Sequence, residues 1–311
     1  MPPTQNTIEQ DILTEHRPVS TLDSKAYIEF KITSGIDEYL RLDKHWFYIR
    51  LCVNIEMPLN VKPTSNDWKK VAPVNNLFNS LFKQIGLMIG DRWVTLSHQT
   101  YPYKSDIELK LGKSKDAKDS YLSSIGWIED NFNDVEEINQ LRSSLINPES
   151  GETDLSKGKQ FELMGKLHLP LFEQNKALLG GTTLTLKLIP NDPSFYMMTK
   201  DGVRISSVEF KEASLFIHRS KVAKHVVEAQ NKSLDIANAR YPLRESFVVP
   251  ITINKGTIDR IIDNVHNGQL PKRAFVMFVN HSAFNGSLTL NPYNYQNFKL
   301  NYLAFYLNGI Q

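Results

Sequence analysis

WFYIRLCVNIE, residues 46–56, alternates without a break. Phe47, Ile49, Leu51, Val53 and Ile55 fall on one face, and Tyr48, Arg50, Cys52, Asn54 and Glu56 on the other. This is the period-two pattern of a strand with one buried face. Pro58 closes it, because proline has no N–H to donate to a ladder.

The same period recurs outward from this stretch. Upstream, Ile28, Phe30 and Ile32 alternate with Glu29 and Lys31. Downstream, Phe161, Leu163, Leu167 and Leu169 share a face with Gly165. Gly180–Gly181 marks a turn before Leu184, Leu186 and Leu188, and Asn191, Asp192 and Pro193 end that strand. SVEFKEASLFI (207–217) forms another. Residues 75–85 change period: Leu77 with Leu81 and Phe78 with Phe82 are spaced i, i+4, which predicts a short amphipathic helix. Ile85–Ile89, the turn Gly90–Asp91 and then Trp93, Val94 and Leu96 predict a hairpin. Residues 103–125 predict one or two exposed helices, and 129–159 a long surface loop. Residues 1–25 are polar, broken by Pro2, Pro3 and Pro18, and predict an extended arm.

After a polar stretch at 219–240, strands are expected at 246–253, 273–280 and 298–307, with a short helix at 257–265 and a turn at Asn267–Gly268. Strands outnumber helices and do not alternate with long ones, so a parallel α/β sheet is not the expectation. The fold class expected is all-β: an antiparallel jelly-roll β-sandwich with short helical insertions, as a double jelly roll whose second barrel is incomplete. The organisation expected is an arm at 1–25, a first jelly roll at 26–220, a linker at 221–243 and the start of a second jelly roll at 244–311. The core of the first roll should contain Phe30, Phe47, Ile49, Leu51, Val53, Leu163, Leu167, Leu184, Leu186 and Leu188.

Composition limits the chemistry. The chain has 311 residues, with 36 Lys and Arg against 34 Asp and Glu, a formal net charge of +2. That is too neutral to argue for nucleic acid or an anionic membrane. The lone Cys52 rules out an internal disulfide framework and a cysteine-cluster metal site. No apolar run reaches the roughly 20 residues a membrane helix needs, and the N-terminal stretch lacks the apolar core of a signal peptide. There is no phosphate-binding glycine loop.

The eight histidines (His16, His45, His98, His168, His218, His225, His266 and His281) form no His-x-His or His-x-x-x-His pair, so neither a metal site nor a cofactor is expected. Cys52 shares its face with Arg50 but has no histidine held near it by spacing, so it reads as a packed residue rather than a nucleophile. Glu129, Asp130, Asp134, Glu136 and Glu137 lie in a predicted loop and read as a solvated segment. Tyr293, Tyr295 and Phe298 could form a sugar-stacking platform, but core or interface packing is the simpler reading. The Asn-x-Ser/Thr triplets at Asn231, Asn280 and Asn285 matter only in a secreted protein. No catalytic residue is assigned.

VAPVNNLFNSLFKQIGLMIGDRWVT (71–95) is followed by YPYKSDIELKL (101–111), KDAKDSYL (115–122) and ELMGKLHLPLFEQNKALLGGTTLTLKLI (162–189). ANARYPL (237–243), NGQLPKRAFVMFV (267–279) and AFNGSLTLNPYNYQNFKLNYLAFYLNG (283–309) come after. In this order and spacing the chain resembles the double jelly-roll major capsid proteins of Maverick or Polinton transposons and of adintoviruses. The resemblance implies two barrels standing normal to a shell, homotrimers of pseudo-hexagonal outline, and tiling with neighbouring capsomers, penton and other minor capsid proteins. It implies a place in a virion capsid and no catalytic residues; from charge and hydropathy, no membrane insertion and no specific nucleic-acid partner are expected. The alternative class is a lectin-like jelly-roll binding module without capsid assembly. Family members continue past the position of Gln311, and Asn308–Gly309 is a hairpin signal without a returning strand, so the functional subunit is expected to be longer.

Overall fold

The alternation around Leu51 becomes part of a 19-residue strand, β3 (Glu38–Glu56). Its neighbours in the computed structural model form a four-stranded antiparallel sheet in the order β1 (Ile8–His16), β10 (Arg204–Val222), β3, β7 (Phe161–Gly165). A second four-stranded antiparallel sheet has the order β2 (Ile28–Thr33), β8 (Thr183–Pro190), β5 (Phe82–Ile89), β6 (Arg92–Leu96). A small ladder joins β4 (Val71–Pro73) to β9 (Met197–Thr199). The structure describes residues 7–23, 25–58, 61–96, 99–131, 134–149, 151–263, 265 and 271–306.

This is a jelly-roll sandwich, as the periodicity requires. All ten residues expected in its core are buried. The sheets meet through aromatic rings: Phe30 of β2 stands edge-on to Phe47 of β3 at 5.8 Å, and Phe47 also meets Phe82 of β5 at 5.8 Å. Short helices decorate the connections. They are α1 (Leu77–Ser80), α2 (Tyr101–Gly112), α3 (Lys115–Asp119), α4 (Gln140–Ser143), α5 (Pro170–Glu173) and α6 (Pro193–Tyr196). Further along the chain lie α7 (Lys224–Leu234) and α8 (His281–Asn285).

Four expectations need correction. The extended arm contributes β1, whose register runs from Ile8 opposite Val222 to His16 opposite Leu215. Its side chains are mostly exposed on both faces, so an edge strand carries no period-two signal. The helix over 75–85 stops at Ser80, and Phe82 to Ile89 is strand. An i, i+4 pair and a buried strand run look alike over so few residues. The helix expected to be exposed is largely buried: Tyr101, Tyr103, Ser105, Asp106 and Leu109 of α2 lie inside. Finally, among the described residues no strand follows Val222. The segments at 246–253, 273–280 and 298–306 are irregular, and no helix forms in the described part of 257–265. Alternation alone does not make a strand, because the backbone also needs a partner to take its hydrogen bonds. The turns at Asn267–Gly268 and Asn308–Gly309 lie outside the described residues.

Candidate functional site

The segment NNLFNS (75–80) builds a buried polar hub. Asn76 sits just before α1 with a left-handed backbone, φ 54°, a conformation asparagine tolerates better than most residues. Asn75 Oδ1 accepts from the backbone N–H of Asn76 at 2.8 Å and of Ile128 at 3.0 Å. The Asn79 amide donates to Asn76 Oδ1 at 2.8 Å, and the Asn76 amide donates to Ser105 Oγ on α2 at 3.2 Å. The Tyr101 hydroxyl donates to Asn79 Oδ1 at 2.8 Å and accepts from the backbone N–H of His168 at 3.2 Å. Helix α2, the 126–128 turn and the chain after β7 are thus tied to one point.

Onto this hub docks the segment 280–296. Asn280 caps α8 through the Ser282 N–H at 2.9 Å. Asn291 is fully buried; its backbone N–H donates to Glu136 Oε2 at 2.6 Å and its amide to the Val135 carbonyl at 2.9 Å and to Asp130 at 3.2 Å. Tyr293 and Ser80 share a hydrogen bond at 2.5 Å, and Tyr295 donates to Asp106 Oδ2 at 2.9 Å. The Tyr103 ring stacks on Phe284 at 5.3 Å and stands edge-on to Phe195 and Tyr293.

Charges lie under this clasp. Asp106 has no exposed surface and pairs with Lys110 at 2.9 Å. Burial pushes its carboxyl up, the Lys110 ammonium opposes this, and the nearby Asp130 charge adds to the rise. The buried Arg142 pairs with Asp130. Burial pushes the Asp130 carboxyl up and the Arg142 guanidinium down, and each charge opposes the other's shift.

A second cluster lies beside α2. His168 Nδ1 is 2.8 Å from Glu108 and 4.0 Å from Glu173. Burial works against the Glu108 charge, but the His168 hydrogen bond and the Lys104 ammonium outweigh it and hold the carboxyl below its usual range. Glu173 is pushed up by burial and then by the like charge of Glu108.

The residues weighed from sequence are scattered. Cys52 is buried, its thiol facing the Gly158 carbonyl at 3.1 Å, and burial pushes its pKa up, the opposite of an activated nucleophile. His218 on β10 lies 3.7 Å from Asp11, and His225 belongs to α7. His98 and His266 lie outside the described residues. The acidic run is not uniformly solvated, since Asp130 and Glu136 turn inward to hold Asn291. Tyr293 packs in the core, as the simpler reading had it, while Phe298 is exposed. Asn75, Asn76, Asn79, Asp106, Arg142 and Asn291 were not singled out from sequence. The one local signal was the Asn75–Asn76 pair ahead of an apolar run.

No family model matches the chain. A protein of Caenorhabditis elegans, "Uncharacterized protein F54H12.2", is 22% identical over 305 residues, covering 95% of this chain and 69% of that one. Among solved structures, a chain of the Sputnik virophage seen by cryo-electron microscopy superposes with a TM-score of 0.52 over 71% of this chain, at 13% identity. The two chains share a fold. This chain spans about half, 49%, of the virophage chain's length. The Faustovirus major capsid protein also matches, with a TM-score of 0.46 and 9% identity over 75% of this chain and 58% of that one. The hub and clasp join 280–296 to the sandwich.

Proposed function

We propose that the chain is a structural capsid protein, and more narrowly a major capsid protein of the Maverick, Polinton or adintovirus kind. The observation that carries this is the eight-stranded two-sheet sandwich, superposable on a chain of a virophage particle. The motif order over 71–309 supports the narrower assignment, and the nematode relative suits an element carried in animal genomes.

In this reading the first jelly roll expected at 26–220 also takes in β1 of the arm and β10 as far as Val222; the linker then runs to 243, and the chain from 244 enters a second barrel. Three subunits make a pseudo-hexagonal capsomer, and capsomers meet one another and a penton protein in the virion shell. The role is non-enzymatic. The clasp built by Asn291, Tyr293 and Tyr295 is then a structural joint, tying the chain beyond the linker back to the first sandwich.

The test is light scattering coupled to size exclusion, followed by electron microscopy of the purified protein. Trimers with a pseudo-hexagonal outline are expected. A stable monomer that binds glycans on an array would point to a lectin-like module instead.

A further inference from the structure

We propose that Glu108, His168 and Glu173 form a binding site for a divalent transition-metal ion of the zinc class. The three come from separate elements. Glu108 lies on α2, His168 in the connection from β7 to α5, and Glu173 at the end of α5. One ligand atom from each lies within 4.8 Å of the other two.

The arrangement suits a cation better than a simple ion pair. Two carboxylates converge on the same ring nitrogen: Glu108 Oε2 at 2.8 Å from Nδ1 and Glu173 Oε1 at 4.0 Å. A single proton on Nδ1 points at one acceptor, and Glu108 already takes that place. Glu173 is left facing another negative charge, and burial, followed by that charge, raises its pKa against the opposing pull of His168, Lys104 and Arg244. An ion held by Nδ1 and one oxygen from each glutamate would neutralise both carboxylates, with water completing four-fold coordination.

The donor atoms select the metal. One imidazole nitrogen and two carboxylate oxygens suit zinc and its first-row neighbours, whereas calcium and magnesium prefer all-oxygen sets. Four-fold coordination with bonds of about 2.0–2.2 Å sets donor atoms roughly 3.3–3.6 Å apart, so the Glu173 oxygen must close in from 4.0 Å while Glu108 Oε2 eases out from 2.8 Å. Glu173 can supply that movement, because its side chain is 45% exposed while that of His168 is 13% exposed. The backbone of His168 is anchored by Tyr101, so the imidazole is the fixed member. Two cations compete: Lys104 approaches the other oxygen of Glu108, Oε1, at 3.9 Å and leaves Oε2 to the imidazole side, and the Arg244 charge acts on Glu173.

The spacing in sequence hides this group, since 60 residues separate Glu108 from His168. The site is independent of the capsid assignment, and its ligands bring α2 and α5 together whatever the chain assembles into.

The test titrates the metal-free full chain with cobalt(II) chloride by visible absorption, and measures zinc by elemental analysis after equilibrium dialysis. One equivalent of ion is expected, with the intense absorption of a four-coordinate cobalt site. His168→Gln should abolish that absorption, and Glu173→Gln should weaken binding by about tenfold or more. Zinc should raise the thermal midpoint of the wild type and leave that of His168→Gln unmoved. Should His168→Gln fail to fold, the surface variant Glu173→Gln still decides the matter. Absence of the cobalt absorption, or an affinity that Glu173→Gln leaves unchanged, overturns the site.

Discussion

At the scale of single residues, His45 shows how one side chain couples the fold to pH. It lies in an irregularity of β3, where Arg41 pairs with His218 but Trp46 pairs with Phe216. Its ring bridges that irregularity: Nδ1 bonds the Leu42 carbonyl at 2.7 Å, and Nε2 accepts from the Leu167 N–H at 2.8 Å. Both contacts are satisfied by the neutral ring, with the proton on Nδ1. Burial pushes its pKa down from 6.5 to about 3. Above pH 6.5 both folded and unfolded chains hold a neutral ring. Below it the unfolded chain takes up a proton that the folded one refuses, so stability falls as pH drops from 6.5 towards about 3. The loss has a limiting slope of about 1.4 kcal/mol per pH unit. Urea midpoints measured across that range should fall with acid in the wild type and fall less steeply in His45→Gln. The core residues make a simpler case. Leu51 and Leu186 are 1% and 0% exposed, so replacing either with Ala should cost about 2–5 kcal/mol at an unchanged urea m-value. These positions were legible because a strand buried on one face writes its period into the sequence. His45 was not, because the irregularity breaks that period just where the histidine sits.

Elements show where local pattern and tertiary context part. β3, β8 and the inner part of β10 announce themselves, since each is half-buried along its length. β1 and the clasp do not. The first is an exposed edge, and the second is held by asparagine and tyrosine side chains whose partners lie far off in sequence. Tyr295, for example, reaches Asp106 across 189 positions. Asp106 Oδ1 is buried without a hydrogen-bond partner, so its carboxyl relies on Lys110 and Tyr295 at Oδ2. Tyr295→Phe removes one of those two donors, and should cost about 1–3 kcal/mol. Its distinguishing readout is local: hydrogen exchange and protease cleavage should accelerate across 280–296 before the sandwich itself is affected. Gly165 in β7 poses the converse case. A Cβ there would press into Ile125 and stand 3.1 Å from the Phe78 ring. Gly165→Ala should therefore destabilise by about 1–3 kcal/mol through overpacking, seen as a lower thermal midpoint with the β-sheet circular dichroism retained.

For the whole molecule, the decisive quantity is how charge is distributed over the surface, because that sets how strongly it can hold nucleic acid. Net charge is +2, and the one basic cluster noticeable in the sequence is Arg219, Lys221 and Lys224. Each of these has an acidic neighbour: Arg219 pairs with Glu38 at 2.8 Å, Lys221 lies 3.7 Å from Asp37, and Lys224 lies 3.8 Å from Glu228. A phosphate approaching this cluster must compete with carboxylates already in place. The sheet face around β3 is balanced in the same way, with Arg50 between Glu162 at 2.8 Å and Glu212 at 3.2 Å. Affinity for DNA grows with the number of phosphates neutralised, and each contact steepens the loss with added salt. With these basic groups compensated and a net charge of only +2, the chain should bind duplex DNA weakly and without sequence preference. Fluorescence anisotropy on unrelated duplexes should give matching weak curves at low salt that vanish near physiological salt. Tight binding that survives there, or a marked preference for one sequence, would mean that the basic cluster exchanges its carboxylate partners for phosphates.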